Sequence, residues 1–457
     1  MDERRFQQLE SLLRYRGELT ARDIGERLGI SQPSVSRLLA GGGVRIARIG
    51  RARATRYALT RAVGRDGGRW PLYRIDAAGR AHAVGELRAL HGERFLFEPP
   101  SAAPAAPHDP FADGLYPGLP WFLDDQRPQG FLGRAFAQRV AADIGAPADL
   151  AHWRGDDVLL ALLRHGDDLP GDFVLGEAAL RQALQTIATP TDVIDAARRK
   201  TRYPALAEAA LRGDAVGTSA GGEQPKFAIT LRDRDGLRPV IVKFSPRTDS
   251  ATGRRWADLL HAEHIAAGIL RAHGVDAAQT RILTAADRVF LESTRFDRTP
   301  ALGRRGFASL AAIDAAFHGN GRIAWWRYAT TLQRDGWLDA ATARHLRLLG
   351  WFGALIGNTD MHLGNAGLIL TDTRPLALAP AYDMLPMAFR PTTGGEVLAR
   401  ELTIELPSPE GRDDWHKAAT MARAFWREVA GARGVGADFI AIARRAMVAV
   451  EGAVARV

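Results

Sequence analysis

The hydrophobic period changes along this chain, and that change limits its fold more than any other feature. Residues 216–297 read as short, strand-length apolar runs broken by one strong helical pattern at about 254–272. From about residue 307 onward, apolar positions recur at helical spacing instead. Segregated strand-rich and helix-rich stretches predict an α+β chain with two lobes, since each kind of surface buries against its own layer. The helical part is interrupted by a Gly/Asn/Asp-rich loop at 357–366 and by strand-like Leu368-Ile369-Leu370 and Leu376-Ala377-Leu378. Upstream, short strand-like pieces alternate with Gly and Asp turns from Trp70 to about Glu98, a Pro/Ala-rich stretch follows at 99–109, and residues 110–215 are mixed, with helical patterns near 131–143 and 176–188.

The first residues are different again. Phe6, Leu9, Leu12 and Leu13 mark an amphipathic helix closed by Gly17, and Thr20 caps a second helix carrying Ile24 and Leu28. After a turn at Gly29, a third helix opens at Ser31 with Pro33 in its first turn and Val35, Leu38 and Leu39 inward. Residues 44–57 then read as a basic two-stranded ribbon. Residues 1–70 hold 15 arginines against 7 acids, +8 of a total formal charge of +9. Two helices about a short turn, then a basic hairpin, is the winged helix-turn-helix layout, and the charge points to DNA. In that geometry Ser31, Gln32, Ser34, Ser36 and Arg37 face base edges or phosphates, while Arg48, Arg51, Arg53 and Arg56 lie along the backbone. The competing reading is a protein-interaction module whose arginines are merely solvated.

Cysteine is absent, which excludes disulfides, thiolate catalysis and Cys-ligated zinc. The start, Met1-Asp2-Glu3-Arg4-Arg5, has no apolar run of signal-peptide type, and no stretch reaches the ~20 apolar residues of a membrane span, so a cytoplasmic chain without membrane partners is expected.

Of 61 basic residues only four are lysine: Lys200, Lys226, Lys243 and Lys417. In so arginine-rich a chain, a retained lysine is a candidate for work that a planar guanidinium does badly. Lys226 closes the Gly-rich string Gly217-Thr218-Ser219-Ala220-Gly221-Gly222-Glu223-Gln224-Pro225-Lys226, whose backbone N–H groups can approach phosphate oxygens. It is neither a P-loop nor a dinucleotide fingerprint, and a hairpin turn is the plainer alternative. Lys243 ends the apolar strand Pro239-Val240-Ile241-Val242-Lys243-Phe244, where an ammonium is costly without an anion; Glu263 follows on the next helix. Asp360 and Asn365 are spaced like the catalytic Asp and metal-binding Asn of a kinase catalytic loop, and Asp383 follows eighteen residues on. Each pattern alone is common. Their order together predicts a phosphoryl-transfer site.

These residues resemble the HipA family of bacterial serine/threonine kinase toxins from type II toxin–antitoxin modules. The resemblance rests on Ser219 to Lys226 as the S-x-x-G-x-x-x-K loop, Val242-Lys243, Arg295-Phe296-Asp297-Arg298, Asn358-Thr359-Asp360-Met361-His362-Leu363-Gly364-Asn365, and Tyr382-Asp383. It covers about residues 65–455, and the added N-terminal module resembles the YjjJ-type branch.

The resemblance implies ATP and Mg²⁺ as cofactors. Lys243, Lys226, Ser219, Gly221, Gly222, Glu263, Glu292 and His362 would lie on the nucleotide, Asp360 would be the general base, and Asn365 and Asp383 the metal ligands. Ser219 would be an inhibitory autophosphorylation site. Where the family often has an acid just before Arg-Phe-Asp-Arg, this chain has Thr294, with Glu292 two residues earlier.

The family further implies a bilobal kinase-like body: a β-rich N-lobe with an extra subdomain, and an all-α C-lobe. The expected division is a winged helix-turn-helix at 1–62, a HipA-like N-terminal subdomain at 63–215, a nucleotide-binding lobe at 216–300 and a catalytic lobe at 301–457. Implied partners are DNA, a protein substrate of aminoacyl-tRNA synthetase type, and a separate antitoxin. Two other classes stay open: an ATP-sensing transcription regulator whose kinase-like body transfers nothing, and a kinase of small molecules or lipids.

Overall fold

The computed structural model describes residues 3–99, 110–213 and 224–457, without the Arg53 side chain. Three helices, α1 (Glu3–Arg16), α2 (Ala21–Leu28) and α3 (Gln32–Gly41), precede the antiparallel strands β1 (Ile46–Ile49) and β2 (Arg56–Leu59). Thr20 and Asp23 cap α2 reciprocally, and Gly29, at φ +63°, supplies the left-handed residue that lets the chain turn into α3. Phe6, Leu9, Leu13, Ile24, Val35, Leu38 and Leu39 close a small core with Ile46 and Leu59.

The middle part holds β3 (Arg69–Ile75), β4 (Ala81–Leu90), β5 (Arg94–Glu98), β6 (Leu115–Tyr116), α4 (Gly130–Ile144), α5 (Gly155–His165), β7 (Phe173–Leu175) and α6 (Glu177–Ala188). Its strands form one sheet ordered β6-β5-β4-β3-β7, covered by α4 and α5 through Phe136, Val140, Leu159 and Leu163.

Next come β8 (Val193–Asp195), α7 (Arg199–Leu211), β9 (Lys226–Asp233), β10 (Gly236–Phe244), α8 (Ala251–Ala272), β11 (Thr280–Ala285) and β12 (Arg288–Thr294). Their sheet is ordered β11-β12-β10-β9-β8, with β8 parallel to β9. One face carries α7, where Tyr203 and Ala207 pack on Phe227, Val240, Val242 and Phe244. The other meets α8. The lobe thus starts near residue 193, which corrects the boundary expected at 215: β8 takes its backbone hydrogen bonds from β9 and cannot belong to the preceding sheet.

The last lobe contains β13 (Gly306–Ser309), α9 (Leu310–Phe317), α10 (Trp325–Arg334), α11 (Ala340–Leu355), β14 (Gly367–Leu370), β15 (Ala377–Leu378), α12 (Arg412–Gly431) and α13 (Ala437–Val454). It is not all-α as expected. The sheet β13-β14-β15 lies beside the helices, and β14 begins directly after the loop at 357–366. Trp325, Trp351, Phe352, Trp415, Phe425, Trp426 and Phe439 fill the helical core.

Candidate active site

Alternation along β10 decides what faces the space between the lobes. Val240, Val242 and Phe244 point into the α7 core, so Ile241 and Lys243 point the other way. Lys226 on β9 is the direct antiparallel partner of Lys243. Like charges placed opposite one another repel, and both ammonium groups are buried, so anions have to stand near. Two do. Lys243 Nζ donates to both oxygens of Glu263, at 2.6 and 2.9 Å, and also contacts the Asp383 carboxylate. Glu263 reaches it from α8, a helix buried along most of its length between the sheet and the C-lobe.

Asp383 is held by backbone as well as charge. Its φ is +55°, left-handed for a residue with a side chain, a conformation that costs roughly 1–3 kcal/mol. Neighbouring bonds fix it there. Asn358 Nδ2 donates to the Asp383 carbonyl at 3.2 Å, and Ala381 exchanges backbone hydrogen bonds of 2.9 Å with Asp276 and Ala278 just after α8. The 357–366 loop is braced internally. Asp360 N donates to Asn358 Oδ1 at 3.1 Å, Asn365 Nδ2 to the Asp360 carbonyl at 2.8 Å, and Gly364 N to His362 Nδ1 at 3.1 Å. With its amide nitrogen so occupied, Asn365 lines the same space as Asp383. An amide oxygen beside a carboxylate is a hard-oxygen pair of the kind Mg²⁺ takes while keeping waters and phosphate oxygens.

The space itself is a cavity of about 690 Å³. Lys226, Lys243, Glu263, His362, Asn365 and Asp383 line one end. Ile241, Ala278, Phe296, Phe307 and Tyr382 line an apolar stretch, where Phe296 stacks on Tyr382 with ring centroids 5.7 Å apart. The middle part also lines it: Asp124, Asp125, Arg127 and Gln129, on and after a 3-10 helix (Trp121–Gln126), reach the cavity, where Asp125 accepts from the Ser309 N–H.

Residues 66–184 match the family described as YjjJ-like toxin, middle domain, and residues 218–451 match the HipA-like C-terminal domain. Toxin YjjJ of Escherichia coli (strain K12) is 36% identical over 419 residues, covering 91% of this chain and 90% of that protein. This chain belongs to the HipA-like toxin family, in its YjjJ-like branch. A solved chain from the Shewanella oneidensis MR-1 toxin–antitoxin complex of HipA, HipB and operator DNA, 15% identical, superposes with a TM-score of 0.52 over 84% of this chain and 97% of that one. The likeness shows a shared fold.

In this HipA-like toxin, six of the residues singled out from sequence meet in the cavity: Lys226, Lys243, Glu263, His362, Asn365 and Asp383. Asp360 sits in the same loop, half-buried, and its carboxylate has no hydrogen-bond partner among the described residues. Ser219, Gly221 and Gly222 lie outside the described residues. Glu292 does not join the site. Paired with Val242, it points to the α7 face, where Arg238 at 2.9 Å, Arg199 at 3.2 Å and the Tyr203 hydroxyl at 2.8 Å hold its carboxylate. The Arg295-Phe296-Asp297-Arg298 string works partly as a brace: Arg295 and Arg298, both buried, bind Asp297 and also Asp168 of the middle part at 2.8–3.1 Å. Burial alone would raise the Asp297 carboxyl; Arg295 and Arg298 outweigh it and hold it well below the usual range.

At the N-terminus Gln32, Ser36 and Arg37 are exposed on α3 with Ser31 before them, Ser34 is half-buried, and Arg48 and Arg51 are exposed on the ribbon. Arg56 is not with them. Glu18 at 3.0 Å and Asp113 hold its guanidinium, which removes it from the expected DNA-facing set. Asp125 was not legible in sequence: an acid in Trp121-Phe122-Leu123-Asp124-Asp125 carries no spacing signal, and only the packing of 121–129 against β13 brings it to the cavity.

Proposed function

We propose that this toxin is an Mg²⁺·ATP-dependent serine/threonine protein kinase joined to its own DNA-binding module. The observation that carries the reading is the meeting of Lys243, Glu263 and Asp383, from positions 140 residues apart in sequence at the extremes, at one end of a cavity that Asn365 also lines. Lys243, oriented by Glu263, would hold nucleotide phosphates, with Lys226 adding a second positive charge. Asn365 and Asp383 would hold Mg²⁺, which supplies charge neutralisation for the transferring phosphoryl group. Asp360 would orient the acceptor hydroxyl and accept its proton. Ser219, in the loop before Lys226, is the proposed autophosphorylation site, where a phosphate's added charge would compete with ATP.

The order α2, turn, α3, then the β1–β2 ribbon supports a winged helix-turn-helix, with α3 in the major groove. The Shewanella complex is named for HipA, HipB and operator DNA. Here the DNA-binding element would be carried in the same chain and would serve autoregulation.

Phosphate transfer from γ-labelled ATP with magnesium tests the reading. Asp360→Asn is expected to lower transfer by at least 100-fold, within the range general-base catalysis supplies, while ATP binding persists. Transfer unchanged in that variant contradicts the role of Asp360. Wild type that binds ATP but transfers nothing leaves the ATP-sensing regulator instead.

A further inference from the structure

After Asp383 the chain makes a long excursion in which no residue has yet been given a role. Residues 395–408 contain no helix, strand, turn or bend, and exposure alternates along them: Arg400, Leu402 and Ile404 are half-buried, while Ala399, Glu401, Thr403 and Glu405 are exposed. A period of two is that of extended backbone with one face against the protein. Leu402 and Ile404 pack on the helical core, and Arg400 donates to the Ala388 carbonyl at 2.7 Å. The ends are tied as well: the Thr252 hydroxyl donates to the Gly395 carbonyl, and the buried Trp415 to the Glu405 carbonyl at 3.1 Å.

Among the described residues this segment has no strand beside it, and no backbone N–H from Val397 to Leu406 donates a hydrogen bond to any of them. A pinned, extended run with free edges is a template for another strand. Its outer face is acidic. Residues 396–410 hold Glu396, Glu401, Glu405 and Glu410 against Arg400 alone, a net −3 in a chain of net +9, and Glu401 and Glu405 enter no ion pair among the described residues. The segment also passes the loop that carries Asp360. A Cβ placed on Gly357 would stand 3.0 Å from Leu402 Cδ1, and the Gly357 carbonyl accepts from the Ala388 N–H at 2.9 Å. Asp360 is three residues on, at most about 11 Å of chain. A strand rises about 3.3 Å per residue, so a strand laid along this edge has a hydroxyl in reach of Asp360 within three or four residues of the pairing.

We propose that residues 397–406 are the docking edge for the protein substrate, which adds to them as an extended, basic segment and presents its hydroxyl to Asp360. Directly opposed residues of paired strands share a face, so arginine or lysine at alternate positions of the substrate would stand across from Glu401 and Glu405. The same acids repel the phosphates of a nucleic acid. The apolar side of the segment is already packed on the helical core, which leaves nothing there for a lipid to hold. The inference rests on the protein-kinase reading and deepens it by naming the class of acceptor.

The test is equilibrium binding to the full chain, without nucleotide, of three synthetic twelve-residue peptides that each carry one serine. The first has arginine at alternate positions, the second has glutamate in place of every arginine, and the third is the arginine peptide methylated on four successive backbone nitrogens. Wild type should bind the arginine peptide and bind the other two about tenfold more weakly. The double variant Glu401→Gln with Glu405→Gln should bind the arginine peptide about fivefold more weakly than wild type, the loss of two exposed cross-strand pairs, and ATP equally well. Equal affinity of both proteins for the arginine peptide overturns the proposal. Undiminished binding of the methylated peptide overturns it too, since pairing through the main chain is then absent. Wild type that ignores the peptide but self-associates unless the two glutamates are replaced assigns the edge to a second copy of the chain, and so overturns it as well. Addition of γ-labelled ATP with magnesium separates the two readings. Phosphate transfer without peptide binding at Glu401 and Glu405 overturns the docking edge alone; peptide bound there with no transfer to any acceptor overturns the kinase and leaves the edge standing.

Discussion

Lys243 shows how much one side chain can carry. A chain that uses arginine almost everywhere keeps lysine at two directly opposed positions, 226 and 243, and both prove buried. Removing one partner of a buried ion pair leaves the other uncompensated, typically at about 3–5 kcal/mol. Lys243→Met would strand Glu263 and Asp383 together, so chemical denaturation should show a loss of about 3 kcal/mol or more. A variant as stable as wild type would mean that the three groups do not form the buried cluster. The lysine was legible because its rarity and its apolar strand gave two independent signals. Glu292 misled for a physical reason: it lies on the same strand β12 that borders the cavity, but strand alternation sends its side chain to the opposite face.

At the scale of elements, strands and long amphipathic helices were readable from their periods, while α5 and α7 were not. In α5, Val158 to Leu163 is one unbroken apolar run, and Pro204 sits inside α7, so neither shows a clean helical period. The Arg295-Phe296-Asp297-Arg298 string was readable as a motif but not as a brace, since its partner Asp168 is remote in sequence. Asp297 and Asp168 both have carboxyls held below their ordinary values: burial opposes this, and Arg295 with Arg298 overcomes it.

For an acid whose folded-state value is depressed, the stabilisation is present above the unfolded value, about 3.9, and is lost as pH falls through the folded one. Asp297→Asn should therefore cost about 3 kcal/mol at pH 7, and its deficit against wild type should shrink as pH drops below about 4. Thermal melts of both proteins across that range check this. A deficit that stays constant into acid would show that the charge of Asp297 is not what braces the two parts.

The whole molecule separates its charge. The positive charge is concentrated in the first 70 residues while the rest of the chain has a net charge close to zero, and no described helix is long and apolar enough to cross a membrane. For the full chain, affinity for duplex DNA should fall steeply with salt, and Arg48→Gln with Arg51→Gln should lower the slope of log affinity against log salt by about 2, near one per phosphate contact. A slope unaltered by both changes would favour an interaction module in place of a DNA-binding one. Arg56→Gln, by contrast, removes a residue already committed to Glu18 and Asp113 and should leave the slope alone.

The kinase account depends on a metal and a triphosphate being held together by Lys243, Asn365 and Asp383. Titration of ATP into the full chain, with magnesium and then with a chelator, measures that directly. Wild type should bind tightly only with magnesium, Asp383→Asn should show little difference between the two conditions, and Lys243→Met should bind weakly in both. ATP affinity in wild type that is the same with and without the metal would contradict it.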